Sequence, residues 1–103
     1  MNIQLWLLTG ALISTAGLAQ AQSSEALQAR SWAASCAACH GTNGQAQPGM
    51  ISLAGLPQEV TVQKMQDFKA GRMPAATIMH QLAKGYSDEQ IVAIAAYFAA
   101  QKK

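Results

Sequence analysis

The feature that most constrains this chain is a short C-A-A-C-H segment that begins at Cys36 and ends at His40. Cys36 and Cys39 are the only 2 cysteines in the sequence, so no thiol remains for a structural disulfide elsewhere. Residues three apart on a helical turn lie on the same face, so both thiols can reach one edge of the same group. The segment therefore predicts that two thiols and the adjacent imidazole serve a single site.

This spacing is the attachment signature of haem c. Both thiols reach the vinyl groups of one haem edge, and the imidazole of His40 coordinates the iron from the proximal side. A zinc site needs about four protein ligands, and the one further histidine, His80, lies too far along the chain to match a common zinc pattern. A thiol–disulfide redox centre needs a βαβ context, which the sequence lacks. A haem-free thiol protein remains the plain alternative.

The beginning of the chain has the character of an export signal. No charged side chain precedes Glu25, and residues 3–19 are apolar but diluted by small and polar side chains. This run is shorter and weaker than the roughly 20 apolar residues of a spanning helix. It ends in A-Q-A at residues 19–21, a small-x-small signal-peptidase pattern. We expect cleavage there, giving a signal peptide at 1–21 and one mature domain at 22–103, with an uncleaved anchor as the alternative.

Composition limits the classes of protein that fit. The chain has 103 residues, 12% of them charged, and a formal net charge of +2. This length allows one domain at most, and the charge is too weak for a nucleic-acid partner bound on a basic face. The hydrophobic core of a mature domain of this size supplies little stability by itself, so a metal or cofactor is needed to stabilise the fold. We expect a periplasmic domain with no stable membrane insertion after the leader is removed.

Helical signals dominate the mature chain, and no run of alternating β-branched residues predicts a strand. We predict a first helix over 24–39, a second over 57–70 with its proline at the first helical position, and a short helical turn over 76–83. Ser87 caps the last helix, and Gln90 completes a capping box. The fold class predicted from this pattern is all-α.

Several segments together resemble the bacterial class I c-type cytochromes. They are C-A-A-C-H-G-T-N-G at 36–44, L-A-G at 53–55, D-F-K-A-G at 67–71 and the last helix. The stretch T-I-M-H-Q-L-A-K-G-Y-S at 77–87 is similar to the cytochrome subunit of flavocytochrome c sulfide dehydrogenase and its single-haem relatives. The resemblance covers essentially the whole mature chain. It implies a cytochrome c-like fold in which three to four helices wrap one covalently bound haem c.

The resemblance also implies a methionine as the second axial ligand, in the second half of the chain. Met73 stands in a Met-Pro pair like that of some photosynthetic and respiratory cytochromes, whereas Met79 matches the subfamily's ligand position. The resemblance favours Met79, with Met73 as the competitor and His80 as the route to a bis-His haem. It further implies that the imidazole of His40 donates its other N–H to the carbonyl of Pro48, which fixes the ring.

A haem with two axial protein ligands has no open position for substrate, so the implied function is one-electron transfer and not catalysis. The implied partner is a sulfide-oxidising flavoprotein, with this chain as its haem subunit or electron acceptor. The alternative is a freestanding soluble cytochrome c that donates electrons to a terminal oxidase or to a photosynthetic or respiratory chain. A sensor or enzyme in which Met79 dissociates stays open. Four basic residues form a candidate surface for an acidic partner: Lys64, Lys69, Arg72 and Lys84.

Overall fold

The computed structural model describes residues 23–103, and the predicted signal peptide at 1–21 lies outside the described residues. Over residues 23–103 the regular structure is entirely helical, as the all-α prediction requires. In chain order the elements are α1 (Ser24–Ala33), a 3₁₀ turn (Ala34–Cys36), α2 (Ala37–His40), a second 3₁₀ turn (Thr42–Gly44), α3 (Gln58–Lys69), α4 (Met79–Ala83) and α5 (Asp88–Ala99). None of these helices is long and apolar enough to cross a membrane.

The predicted first helix is present, but its α-helical geometry changes to a 3₁₀ turn just before the cysteine segment. Its start is capped by the hydroxyl of Ser23, which accepts from the backbone N–H of Ala26 at 3.2 Å. The 3₁₀ turn then separates α1 from α2, although the junction residues keep right-handed helical backbone angles. Helical geometry ends at Gly41, which has φ +81° and leaves no room for a Cβ against the carbonyl of Gln45.

Helix α3 begins one residue later and ends one residue earlier than the predicted span of 57–70. Pro57 has ψ 138°, so it precedes the first helical residue and does not occupy that position. At the other end Gly71 adopts φ +72°, and its N–H donates to the carbonyl of Phe68 at 3.2 Å. The N–H of Arg72 donates to the carbonyl of Asp67 at 2.9 Å. These two bonds form a Schellman motif, which satisfies carbonyls at the helix end.

Helix α5 has the predicted capping box and forms the centre of the domain. Ser87 Oγ accepts from the N–H of Gln90 at 3.1 Å, and the Gln90 side chain accepts from the N–H of Ser87 at 2.8 Å. Its apolar face packs against α1 on one side and α3 on the other. A first cluster consists of Ala33, Ile94 and Phe98, and a second cluster of Met65, Ala83 and Ile91.

Candidate haem site

The two cysteines of the C-A-A-C-H segment are free thiols in different surroundings. Cys36 is half-buried and packs against the first cluster, whereas Cys39 on α2 is exposed. Burial raises the pKa of the Cys36 thiol. Both side chains leave the same short helical segment, as the i, i+3 spacing requires.

His40 ends α2, and its ring is held from one side. Its Nδ1 lies 2.6 Å from the backbone carbonyl oxygen of Ile51. A carbonyl only accepts, so Nδ1 carries a proton, and in the neutral ring the free lone pair therefore lies on Nε2. An imidazole that donates one N–H to a carbonyl is the usual arrangement for a metal-binding histidine.

The acceptor of this bond is the carbonyl of Ile51, where the resemblance implied Pro48. Pro48 lies in a tight turn in which the N–H of Met50 donates to the carbonyl of Gln47 at 3.1 Å. Gly49 has φ +95°, and Pro-Gly with a positive φ at glycine is typical of a type II turn. Pro48 lies exposed at the corner of the turn, and the chain then brings the carbonyl of Ile51 to Nδ1 of the ring.

The candidate distal ligands occupy different positions. Met79 begins α4 and packs against the second cluster. Met73 lies in the connection between α3 and α4, where its carbonyl accepts from the N–H of Ala76 at 3.0 Å, and it belongs to neither cluster. A further methionine, Met65 on α3, is 8% exposed within the second cluster and is therefore a core residue. His80 is half-buried, and its Nδ1 is buried without a hydrogen-bond partner among the described residues.

Tyr86 brings the two halves of the candidate site together. Its side chain packs against both the first and the second cluster; Cys36 packs against the first cluster and Met79 against the second. Its hydroxyl oxygen lies 2.7 Å from Ser35 Oγ, directly before the first cysteine. Sequence patterns did not identify this contact, because it joins residues far apart in the chain.

The residues around the site fit a large, flat, apolar cofactor. A binding site for such a group is lined mainly by apolar side chains, with few polar ones that fix its orientation. Large apolar side chains remain exposed to solvent in the segment that provides the acceptor of His40 and in the segment that begins α4, namely Met50 (49%), Ile51 (70%), Ile78 (58%) and Leu82 (48%). Exposed apolar side chains that flank an available imidazole and a thioether are the surroundings that a haem would cover. Residues 23–103 contain no cluster of three or more His, Cys, Asp or Glu side chains for another metal ion.

Comparison with known proteins identifies relatives among electron carriers. The chain is 37% identical over 95 residues to cytochrome c4 from Azotobacter vinelandii and 42% identical over 64 residues to the cytochrome subunit of sulfide dehydrogenase from Chlorobaculum tepidum. It is 39% identical over 72 residues to a thiosulfate dehydrogenase electron acceptor from Thiomonas intermedia. These alignments cover 84%, 62% and 68% of this chain, respectively.

The same alignments span 45%, 57% and 33% of the relatives' own lengths, so the chain matches between one third and somewhat more than half of each. The sequence profile of the family described as cytochrome c matches residues 25–102, which include every helix described above. That family binds covalent haem c, and Cys36 and Cys39 have its C-x-x-C-H spacing. The chain therefore belongs to the cytochrome c family of haem c electron-transfer proteins.

Proposed function

We propose that this chain is a periplasmic one-electron carrier that accepts electrons from a sulfide-oxidising flavoprotein. The observation that carries the proposal is the His40–Ile51 hydrogen bond, which leaves Nε2 of an imidazole next to two free thiols available for iron. The choice of partner rests on the similarity to the cytochrome subunit of sulfide dehydrogenase. Export rests on the leader pattern at residues 1–21.

In this proposal Cys36 and Cys39 would hold haem c by thioether bonds, and His40 and Met79 would ligate its iron. Bound haem supplies an iron that takes up and releases one electron. The hydrogen bond to Ile51 keeps the His40 ring in one orientation and makes Nε2 a better donor. The thioether of Met79 favours the reduced iron and raises the reduction potential above that of a bis-His site.

The charged surface available to a partner is smaller than the sequence implied. Two of the four basic residues are engaged in ion pairs, Lys69 with Asp88 at 3.1 Å and Arg72 with Asp67 at 2.7 Å. Lys64 and Lys84 form no ion pair within residues 23–103. We propose that electrostatic attraction to an acidic partner depends mainly on these two lysines.

The axial ligand is tested by two methionine variants of the full chain, matured in a bacterium that attaches haem c. Met79→Ala loses the Met–Fe(III) charge-transfer band, whereas Met73→Ala keeps it. Both variants retain a pyridine haemochrome spectrum of covalent haem, because the thioether bonds are intact. The reverse result for the two methionines would assign the ligand to Met73. Absence of covalent haem in the unmodified protein would refute the proposal as a whole.

The partner and the compartment need separate measurements. Untagged protein purified from its own host should be associated with a flavoprotein, and sulfide should reduce the haem only when that flavoprotein is present. A haem protein without flavin that reduces a terminal oxidase would instead support the freestanding carrier. N-terminal sequencing of the periplasmic protein should begin at Gln22, and a chain that retains residues 1–21 would contradict cleavage.

A further inference from the structure

Tyr86 is held at three points. Its ring contacts both core clusters. Its backbone carbonyl accepts from Lys69 Nζ at 2.8 Å, and its hydroxyl is hydrogen bonded to Ser35 Oγ at 2.7 Å. Ser35 Oγ also donates to the carbonyl of Trp32 at 3.3 Å. Because a serine hydroxyl has one proton and a carbonyl cannot donate, the Tyr86 hydroxyl is the donor to Ser35.

This arrangement connects the two segments that carry the proposed haem ligands. Ser35 directly precedes Cys36, and the 3₁₀ turn that contains both leads into the cysteine segment. On the other side, the N–H of Tyr86 donates to the carbonyl of Ala83 at 3.3 Å, and Ala83 is the last residue of the helix that Met79 begins. Tyr86 therefore joins the end of α4 to the segment of haem attachment.

We propose that the Tyr86 hydroxyl is a positioning group that keeps the Met79 segment closed against the haem-attachment segment. This inference rests on the proposed Met79 ligation. While the Tyr86–Ser35 hydrogen bond is present, the segment leaves the iron rarely, so an external ligand finds the sixth position rarely free. Such a ligand binds only the fraction of protein in which the sixth position is free. Its apparent affinity is therefore its intrinsic affinity multiplied by that fraction.

The test measures imidazole binding to the oxidised, haem-loaded full chain. Tyr86→Phe keeps the ring in both clusters and removes only the hydroxyl. We expect it to keep the Met–Fe(III) band in the absence of imidazole and to bind imidazole about fivefold more tightly, the factor that corresponds to one typical hydrogen bond. Ser35→Ala should give the same shift, and the double variant should add nothing to either single variant.

The second tyrosine provides a matched control. The Tyr97 hydroxyl donates to Asn43 Oδ1 at 2.6 Å, which joins α5 to the loop after the cysteine segment and does not involve α4. Tyr97→Phe therefore loses a comparable bond, but its imidazole affinity should equal that of the unmodified protein. Equal shifts in Tyr86→Phe and Tyr97→Phe, or no shift in Tyr86→Phe, would overturn the positioning role.

The ligand assignment and the positioning role fail in different ways. If Met79→Ala keeps the charge-transfer band, the assignment of Met79 is wrong and the role of Tyr86 is lost with it. If Met79→Ala loses the band while Tyr86→Phe binds imidazole like the unmodified protein, only the role of Tyr86 is wrong. Ser35→Ala gives an independent result if the Tyr86 variant does not mature.

Discussion

The two segments that flank the proposed haem position are secured to different extents. The proximal loop (residues 41–56) follows His40, and the distal segment (residues 73–86) contains Met79. Within the proximal loop, the carbonyl of Gly44 accepts from two backbone N–H groups across the loop, at 2.8 and 3.1 Å. The loop is also bonded to α5, because the N–H of Gly55 donates to the carbonyl of Phe98 at 2.9 Å.

The distal segment depends on fewer bonds. Its backbone hydrogen bonds join near neighbours, such as the N–H of Leu82 and the carbonyl of Ile78 at 3.0 Å. Within residues 23–103, the two hydrogen bonds that connect it to other segments both end on Tyr86. Segments with few such bonds open more easily than the rest of a protein. The difference predicts that the methionine side of the site opens before the histidine side.

The largest loss of stability is expected for Gly44→Ala, which disrupts the packing of the proximal loop. Gly44 has φ +80°, and a Cβ there would lie 2.8 Å from the backbone nitrogen of Ala54 and 2.8 Å from Phe98 Cδ1. Backbone strain and overpacking together should lower the free energy of unfolding by about 2–4 kcal/mol. Guanidinium denaturation of the haem-loaded protein measures this loss.

Gly71→Ala is the control for backbone strain alone. Gly71 has φ +72°, and no heavy atom lies within 4 Å of a Cβ built there. This variant should lose only about 1–2 kcal/mol. If both glycine variants lose the same amount, the close packing of the proximal loop does not contribute.

A smaller and more selective effect is expected from two matched truncations on α5. Ile91 belongs to the second cluster, against which Met79 packs, and Ile94 belongs to the first cluster; they are 0% and 2% exposed. Ile91→Val and Ile94→Val should each lower the free energy of unfolding by about 1 kcal/mol. Only Ile91→Val should also tighten imidazole binding, because it loosens the packing of the distal segment. Equal imidazole affinity in the two variants would contradict the prediction that the methionine side of the site opens before the histidine side.

The smallest change in stability is expected when the pH is lowered and the carboxylate of Asp88 takes up a proton. Gln66 Nε2 and Lys69 Nζ both donate to Asp88 Oδ1, and these hydrogen bonds hold the pKa of Asp88 below its ordinary value of 3.8. The pKa is lower in the folded state, so the stabilisation is present above pH 3.8 and is lost as the pH falls through the folded value. The stability difference between the unmodified protein and Asp88→Asn should therefore shrink in acid.

Asp67 provides the comparison for this acid effect. A hydrogen bond from Arg72 lowers the pKa of Asp67 as well, but that pair lies at the end of α3, and within residues 23–103 neither side chain is hydrogen bonded to Tyr86. Asp67→Asn should lose stability with the same pH dependence but leave imidazole binding unchanged. Because Lys69 also holds the carbonyl of Tyr86, Asp88→Asn should tighten imidazole binding slightly at neutral pH and low salt.

The helices were predictable where their signals are local. The capping box of Ser87 and Gln90 spans one helical turn, and Gly71 ends α3 with its own left-handed conformation. Both signals act between near neighbours, so the chain needs no tertiary contact to use them. The start of α3 was misplaced by one residue, because Pro57 is compatible with both the first helical position and the position before it.

The sequence alone determined the cofactor class and the helical fold. The C-x-x-C-H spacing places two thiols and an imidazole on one short helical segment, and that requirement is local. Only the tertiary structure decided that Ile51, and not Pro48, orients His40, because the path of a turn depends on backbone angles that the residue types only partly restrict. It likewise decided that Tyr86 meets Ser35, since that contact forms only when α5 packs against both α1 and α3.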